Sequence, residues 1–158
     1  MGEYGAPPRG GWARFVVELH VNDLDASLDF WRGVLGFTTA YARPSEGFHY
    51  LEHAAGMQVM LCRRNGRFET GPMPYPLGQG AMMQLYFDDL APVLEALAAR
   101  SWPAHTPLRK IWRRTGDVEL GQREIFVQDP DGYLLMLAQN IGTRPLSVGS
   151  PSVKSPKA

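Results

Sequence analysis

Apolar residues along this chain fall into two kinds of short run, and their order comes twice. Residues 14–21 alternate loosely and are rich in Val, which predicts a strand. Leu24, Leu28, Trp31 and Leu35 then recur at helical spacing, with Asp23 or Asp25 available as the N-cap and Gly36 as the stop. Three more strands fit about 37–43, 47–53 and 57–63. The second run begins with a strand at 81–88. A helix follows over 90–100 that puts Leu90, Val93, Leu94 and Leu97 on one face. Strands then fit about 110–115, 122–128 and 133–139, with Asp129-Pro130-Asp131-Gly132 as the turn before the last.

The repetition extends to the residues. Val16-Val17-Glu18-Leu19-His20-Val21-Asn22-Asp23-Leu24 aligns with Met82-Met83-Gln84-Leu85-Tyr86-Phe87-Asp88-Asp89-Leu90. Gly56-Met57-Gln58-Val59-Met60-Leu61 aligns with Gly132-Tyr133-Leu134-Leu135-Met136-Leu137. The class is therefore α+β, built from two βαβββ modules at 13–65 and 80–142. A Gly- and Pro-rich stretch, 66–79, is the linker or a lid over the cleft between them. Pro7, Pro8, Gly10 and Gly11 predict a flexible N-terminal arm over 1–12, and TRPLSVGSPSVKSPKA predicts a disordered tail over 143–158.

Composition narrows the partners. At 158 residues the chain suits one domain or two small modules sharing a core. Sixteen basic and sixteen acidic residues cancel, so no global field favours nucleic acid or an anionic membrane. The single cysteine, Cys62, forms no intramolecular disulfide and fits a reducing compartment. No apolar run is long enough to span a bilayer, so the expectation is a soluble, cytoplasmic protein.

The order Asp23-Leu24, Ser27, Phe30-Trp31, Leu35-Gly36-Phe37, joined to Asp129-Pro130-Asp131-Gly132-Tyr133, resembles the vicinal oxygen chelate superfamily. That group contains glyoxalase I, extradiol dioxygenases, fosfomycin-resistance enzymes and bleomycin-resistance proteins. The stretch from Gln122-Arg123-Glu124 to Gly132 is most similar to the bleomycin-resistance type. The resemblance implies a curved, half-open barrel with a cleft, completed in a homodimer. Such a fold hosts many unrelated activities, so function has to come from the site.

Metalloenzymes of this group place ligands on the first and last strands of each module. Counted from the shared landmarks, those points hold Val16, Met60, Met82 and Met136. A valine and three thioethers do not suit Zn, Ni, Fe or Mn, so no metal and no cofactor are expected, and the methionines read as an adaptable apolar floor. Glu18 and His20 share a strand face with Val16. They are candidate acid–base groups or ligand contacts, with Gln84 and Tyr86 as their repeat counterparts, and Glu124 is a further candidate base. Cys62 is read as too isolated for a thiolate site, and no catalytic triad, phosphate loop or dinucleotide fingerprint occurs.

Phe37, Tyr41, Trp112 and Phe126 are candidates for stacking on a planar ligand, the mode the bleomycin-resistance resemblance implies. Arg109, Lys110, Arg113 and Arg114 form either a solvated edge or a basic pocket wall, and the latter would repel a cationic drug. The reading is a metal-free protein that sequesters an aromatic antibiotic or related compound. The alternative is a metal-dependent glyoxalase- or dioxygenase-like lyase or isomerase using Glu18 and His20.

Overall fold

A computed structural model describes residues 4–146. The chain runs β1 (Val17–Val21), α1 (Leu24–Gly33), β2 (Thr38–Arg43), β3 (Phe48–Glu52) and β4 (Gln58–Arg63), then β5 (Met82–Tyr86), α2 (Ala91–Ala99), β6 (Ala104–Thr115), β7 (Val118–Gln128) and β8 (Leu134–Pro145). The strands form two four-stranded sheets of identical topology, β1-β4-β3-β2 and β5-β8-β7-β6. In each, the strand before the helix runs parallel to the last strand of its module. The α+β class and the two βαβββ modules follow directly from this order.

Asp23 is the cap of α1, its carboxylate accepting the Ala26 N–H at 3.0 Å. The helix stops at Gly33, two residues earlier than the apolar spacing predicts. Val34 and Leu35 both bond to the Phe30 carbonyl, and Phe37 closes on the Trp31 carbonyl at 3.1 Å. That wide closure needs the left-handed backbone Gly36 supplies, with φ 77°.

Alternation sorts each sheet into two faces. Leu19, Val21, Leu51, Val59 and Leu61 of the first sheet lie in one cluster with Leu85, Val127, Leu135 and Leu137 of the second. Phe30, Trp31, Val93 and Leu97 of the two helices belong to the same cluster, so the modules share a core. Polar contacts lock the joint. The Trp31 indole donates to Asp129 at 3.2 Å, Ser27 donates to Asp131 at 3.2 Å, and the Asn22 backbone N–H donates to Asp131 at 3.0 Å. Arg100 beyond α2 pairs with Asp29 of α1.

The second module departs from the predicted lengths. β6, β7 and β8 span 12, 11 and 12 residues against six, five and six for β2, β3 and β4. Backbone pairing continues through Arg113↔Leu120 and Leu120↔Thr143, which brings residues 143–145 of the anticipated tail into β8. Residues 147–158 of that tail lie outside the described residues. Residues 4–6 of the arm lie along β2, with Ala6 N–H on the Ala40 carbonyl at 3.0 Å and Ala42 N–H on the Tyr4 carbonyl at 2.8 Å. No helix among the described residues is long and apolar enough to cross a membrane.

Candidate functional site

The β1 and β5 edges border a crevice of about 670 Å³. Val17, Glu18 and Leu19 line it from β1, and Met82, Met83, Gln84 and Leu85 from β5. Trp31 and Tyr133 border it too, and Phe15 stands at its margin with 84% of its surface exposed. A second pocket of about 350 Å³ adjoins it, lined by Glu18, His20, Phe68, Met73 and Tyr133. Glu18 and Tyr133 line both.

Each sheet carries two ordered rows of side chains on the face away from the shared core. In the first sheet the row is Glu18, Met60, Tyr50, Tyr41, and beside it His20, Cys62, Phe48, Arg43. In the second sheet the equivalent rows are Gln84, Met136, Phe126 and Tyr86, Ala138, Glu124, Arg109. The internal repeat therefore survives as matched cross-strand ladders.

Most of the anticipated residues fall on these ladders. Glu18, Met82 and Gln84 meet at the crevice, with His20 in the adjoining pocket. Met60 sits beside Glu18, and Val16 packs on the same face with Tyr41. Met136 lies between Gln84 and Phe126. Tyr41 stacks on Tyr50 at 5.1 Å, and Trp12 of the arm caps both rings edge-on. Gln58 holds the arm there, donating to the Gly11 carbonyl at 2.7 Å and accepting the Ala13 N–H at 2.9 Å. The stacking face proposed for Tyr41 is thus covered by the chain's own Trp12.

Two anticipated contacts lie elsewhere. Phe37 is buried in the shared core, edge-on to Trp31 at 5.3 Å, because the turn after α1 points it inward. Trp112 pairs with Gly121 on the opposite sheet face from Phe126, under the Arg144 guanidinium at 4.3 Å. One residue of strand register decides the face, and the long β6–β7 hairpin sets that register. Phe37, Trp112 and Phe126 therefore do not form a common sandwich within one chain.

The basic stretch of β6 is divided by the same alternation. Arg109 and Arg113 point to the fully buried Glu124, each at 2.8 Å, while Lys110 and Arg114 fall on the other face. The Arg113 and Arg109 hydrogen bonds hold the Glu124 carboxyl below the ordinary glutamate range against the opposing effect of burial. A carboxylate so held is a structural counter-charge and a poor proton acceptor.

At the pocket, the Glu18 carboxylate and the His20 Nε2 are 2.9 Å apart. The Tyr133 hydroxyl donates to the His20 carbonyl at 2.9 Å, and burial followed by the Asp129 and Asp131 charges pushes its pKa up to about 12. It is a neutral donor at any physiological pH. Phe68 of the linker meets the His20 ring edge-on at 5.6 Å. The Arg64–Glu69 pair at 2.8 Å holds that stretch of linker. Tyr133, Phe68 and Met73 are the residues the sequence reading missed, and Cys62, read as too isolated, pairs with His20. Only the repeat could have indicated Cys62, since a parallel βαβ return places β4 beside β1 and pairs Cys62 with His20.

The four landmark positions keep Val16, Met60, Met82 and Met136 on or beside the β1/β4 and β5/β8 strands. That donor set does not fit the nitrogen- and oxygen-bound divalent ion of the family's metalloenzymes.

Fold and ladders together define a paired βαβββ protein with an edge-strand recess. Residues 14–137 match the model of the Glyoxalase/Bleomycin resistance protein/Dioxygenase superfamily, and the chain belongs to it. It is 28% identical over 131 residues to a probable lactoylglutathione lyase of Vibrio parahaemolyticus, covering 77% of this chain and 86% of that one. TioX from Micromonospora sp. ML1 is 20% identical, with a TM-score of 0.61 over 82% of this chain and all of that one. A superfamily protein from Alicyclobacillus acidocaldarius, also 20% identical, gives 0.56 over 81% and 91%. These structural likenesses speak for the fold.

Proposed function

We propose that this protein is a small-molecule binder of the bleomycin-resistance type that sequesters an aromatic antibiotic or related compound without the family's four-residue metal centre. The observation that carries this reading is the crevice between β1 and β5. It is walled by Val17, Leu19, Met82, Met83 and Leu85, with Glu18 and Gln84 as the polar groups that fix orientation. Its volume falls in the range of small-molecule sites, roughly 300–1,000 Å³. With Arg109 and Arg113 committed to Glu124, the charge at the crevice is that of Glu18, which favours a neutral or cationic aromatic ligand. A homodimer, with the recess closed by a second copy, and a cytoplasmic location that keeps Cys62 reduced complete the proposal.

Calorimetric titration with bleomycin, metal-free and copper-loaded, tests it. Saturable heat that is weakened in Glu18→Gln supports the reading. No heat at high drug concentration rejects bleomycin as the ligand.

A second reading is favoured by the Glu18–His20 contact at 2.9 Å and by the likeness to a probable lactoylglutathione lyase. In it the pair supports lyase or isomerase chemistry with an added divalent ion. Lactoylglutathione turnover by the metal-supplemented protein, lost in His20→Ala, would put this reading first.

A further inference from the structure

We propose that Glu18, His20 and Cys62 form a site for one divalent transition-metal ion of the zinc type, on the outward face of the first sheet. The site uses none of the four landmark positions, although Met60 pairs with Glu18, and it departs from the expectation that Cys62 is too isolated for a thiolate site. It deepens the second reading by giving the Glu18–His20 pair a third ligand, and it shares Glu18 with the aromatic-ligand reading, which needs no ion.

The site is built by strand pairing. β1 and β4 run parallel with His20 opposite Cys62, and alternation puts Glu18 on the same face two residues back. One ligand atom from each of the three side chains lies within 4.8 Å of the other two. In a tetrahedral zinc site, with metal–ligand bonds of about 2.0–2.3 Å, ligand atoms sit roughly 3–4 Å apart.

The imidazole and the thiol are both buried beside Glu18. The His20 side chain is only 10% exposed, yet its Nδ1 has no hydrogen-bond partner. An ion taken by Nε2, in place of the bond to Glu18, leaves the ring proton on Nδ1. The Cys62 thiol donates to the Arg63 and Glu46 carbonyls at 3.6 and 3.9 Å, bonds that thiolate formation gives up. A cation held by Nε2, the nitrogen that faces Glu18, together with the thiolate and the carboxylate, neutralises Glu18.

The donor set selects the ion. Imidazole nitrogen, thiolate sulfur and carboxylate oxygen together suit Zn²⁺, and they are too soft a set for Mg²⁺ or Ca²⁺. Three protein ligands leave a fourth position for water or a ligand atom, and the recess lined by Phe68, Met73 and Tyr133 adjoins Glu18 and His20. Binding releases the thiol proton. Burial and the Glu18 and Glu46 charges hold that proton on the free protein, while Arg43 and Arg67 favour its loss.

The test is titration of the full-length, chelator-stripped protein with Co²⁺, followed by displacement with Zn²⁺. Because Cys62 is the chain's single cysteine, a thiolate-to-cobalt charge-transfer band in the wild type reports this residue alone. The expected result is one equivalent of Co²⁺ with that band and its loss on adding Zn²⁺. His20→Ala should weaken binding by at least the roughly tenfold that even outer-shell partners cost. His105→Ala, on the exposed part of β6, should leave it unchanged. Absence of the band in the wild type, or a band of full strength in a folded His20→Ala protein, overturns the site. Drug binding by the stripped wild type reads the sequestration proposal separately, so the two can fail independently.

Discussion

Glu18 and Tyr133 divide the work of the recess between charge and position. Glu18 is exposed on an edge strand, so Glu18→Gln should leave stability nearly unchanged while weakening a cationic ligand by about 1.5–3 kcal/mol, the worth of a charged hydrogen bond. Calorimetry beside a denaturation curve separates these effects. Tyr133 is held by the His20 carbonyl and by the close passage of Gly78, where an added Cβ would run into the tyrosine ring. Gly78 and Gly80 both have left-handed backbone, φ 71° and 88°, but a Cβ at Gly80 meets nothing within 4 Å. Gly78→Ala should therefore cost more stability than Gly80→Ala, by about 1–3 kcal/mol, in chemical denaturation. At this scale the sequence displays Glu18, His20, Met82 and Gln84 through the repeat. It conceals Cys62 and Tyr133, because their nearness to His20 is made by a parallel return and a turn from the other module.

The elements are joined by a buried acidic turn, and that joint has a pH signature. Asp129 accepts N–H groups from Trp31, Asp131 and Tyr133, yet burial outweighs these bonds and raises its pKa from 3.8 to about 6. Between those two pH values the folded protein keeps a proton that the unfolded chain has lost. Stability from this group is therefore fully present below about pH 4, declines as pH rises to about 6, and stays level above. The whole change is on the order of 3 kcal/mol. The stability difference between wild type and Asp129→Asn, measured by denaturation from pH 4 to 7, should shrink with rising pH over that window and then stop changing. An identical slope in both proteins would show that Asp129 does not titrate there. The Asp129–Gly132 turn and both helices were legible from local spacing. The length of β6–β8 was not, because Arg109 to Arg114 and Thr143 to Pro145 are mostly exposed and carry no apolar alternation. Backbone pairing alone extends those strands, and a hydropathy pattern has no access to it.

Across the whole molecule, the recess is open where an interface would close it. β1 and β5 are edge strands, each with one pairing neighbour, and the crevice lies between them. Phe15 and Met82 stand there with 84% and 40% of their surface in water. Exposed edges and apolar residues at one place favour association, and a net charge of zero does nothing to oppose it. The other outer edges are differently placed, since β2 is covered by residues 4–6 of the arm. The protein should therefore sediment at twice its 17.6 kDa chain mass. Phe15→Asp, which puts a charge at the crevice margin without touching the shared core, should move it toward monomer. If the second copy closes the recess, drug affinity should fall in parallel with the dimer fraction as protein is diluted. A monomeric protein that keeps full affinity would assign the whole site to one chain. A dimer whose affinity ignores Phe15→Asp would place the interface elsewhere, with the long β6 edge as the remaining unpaired strand.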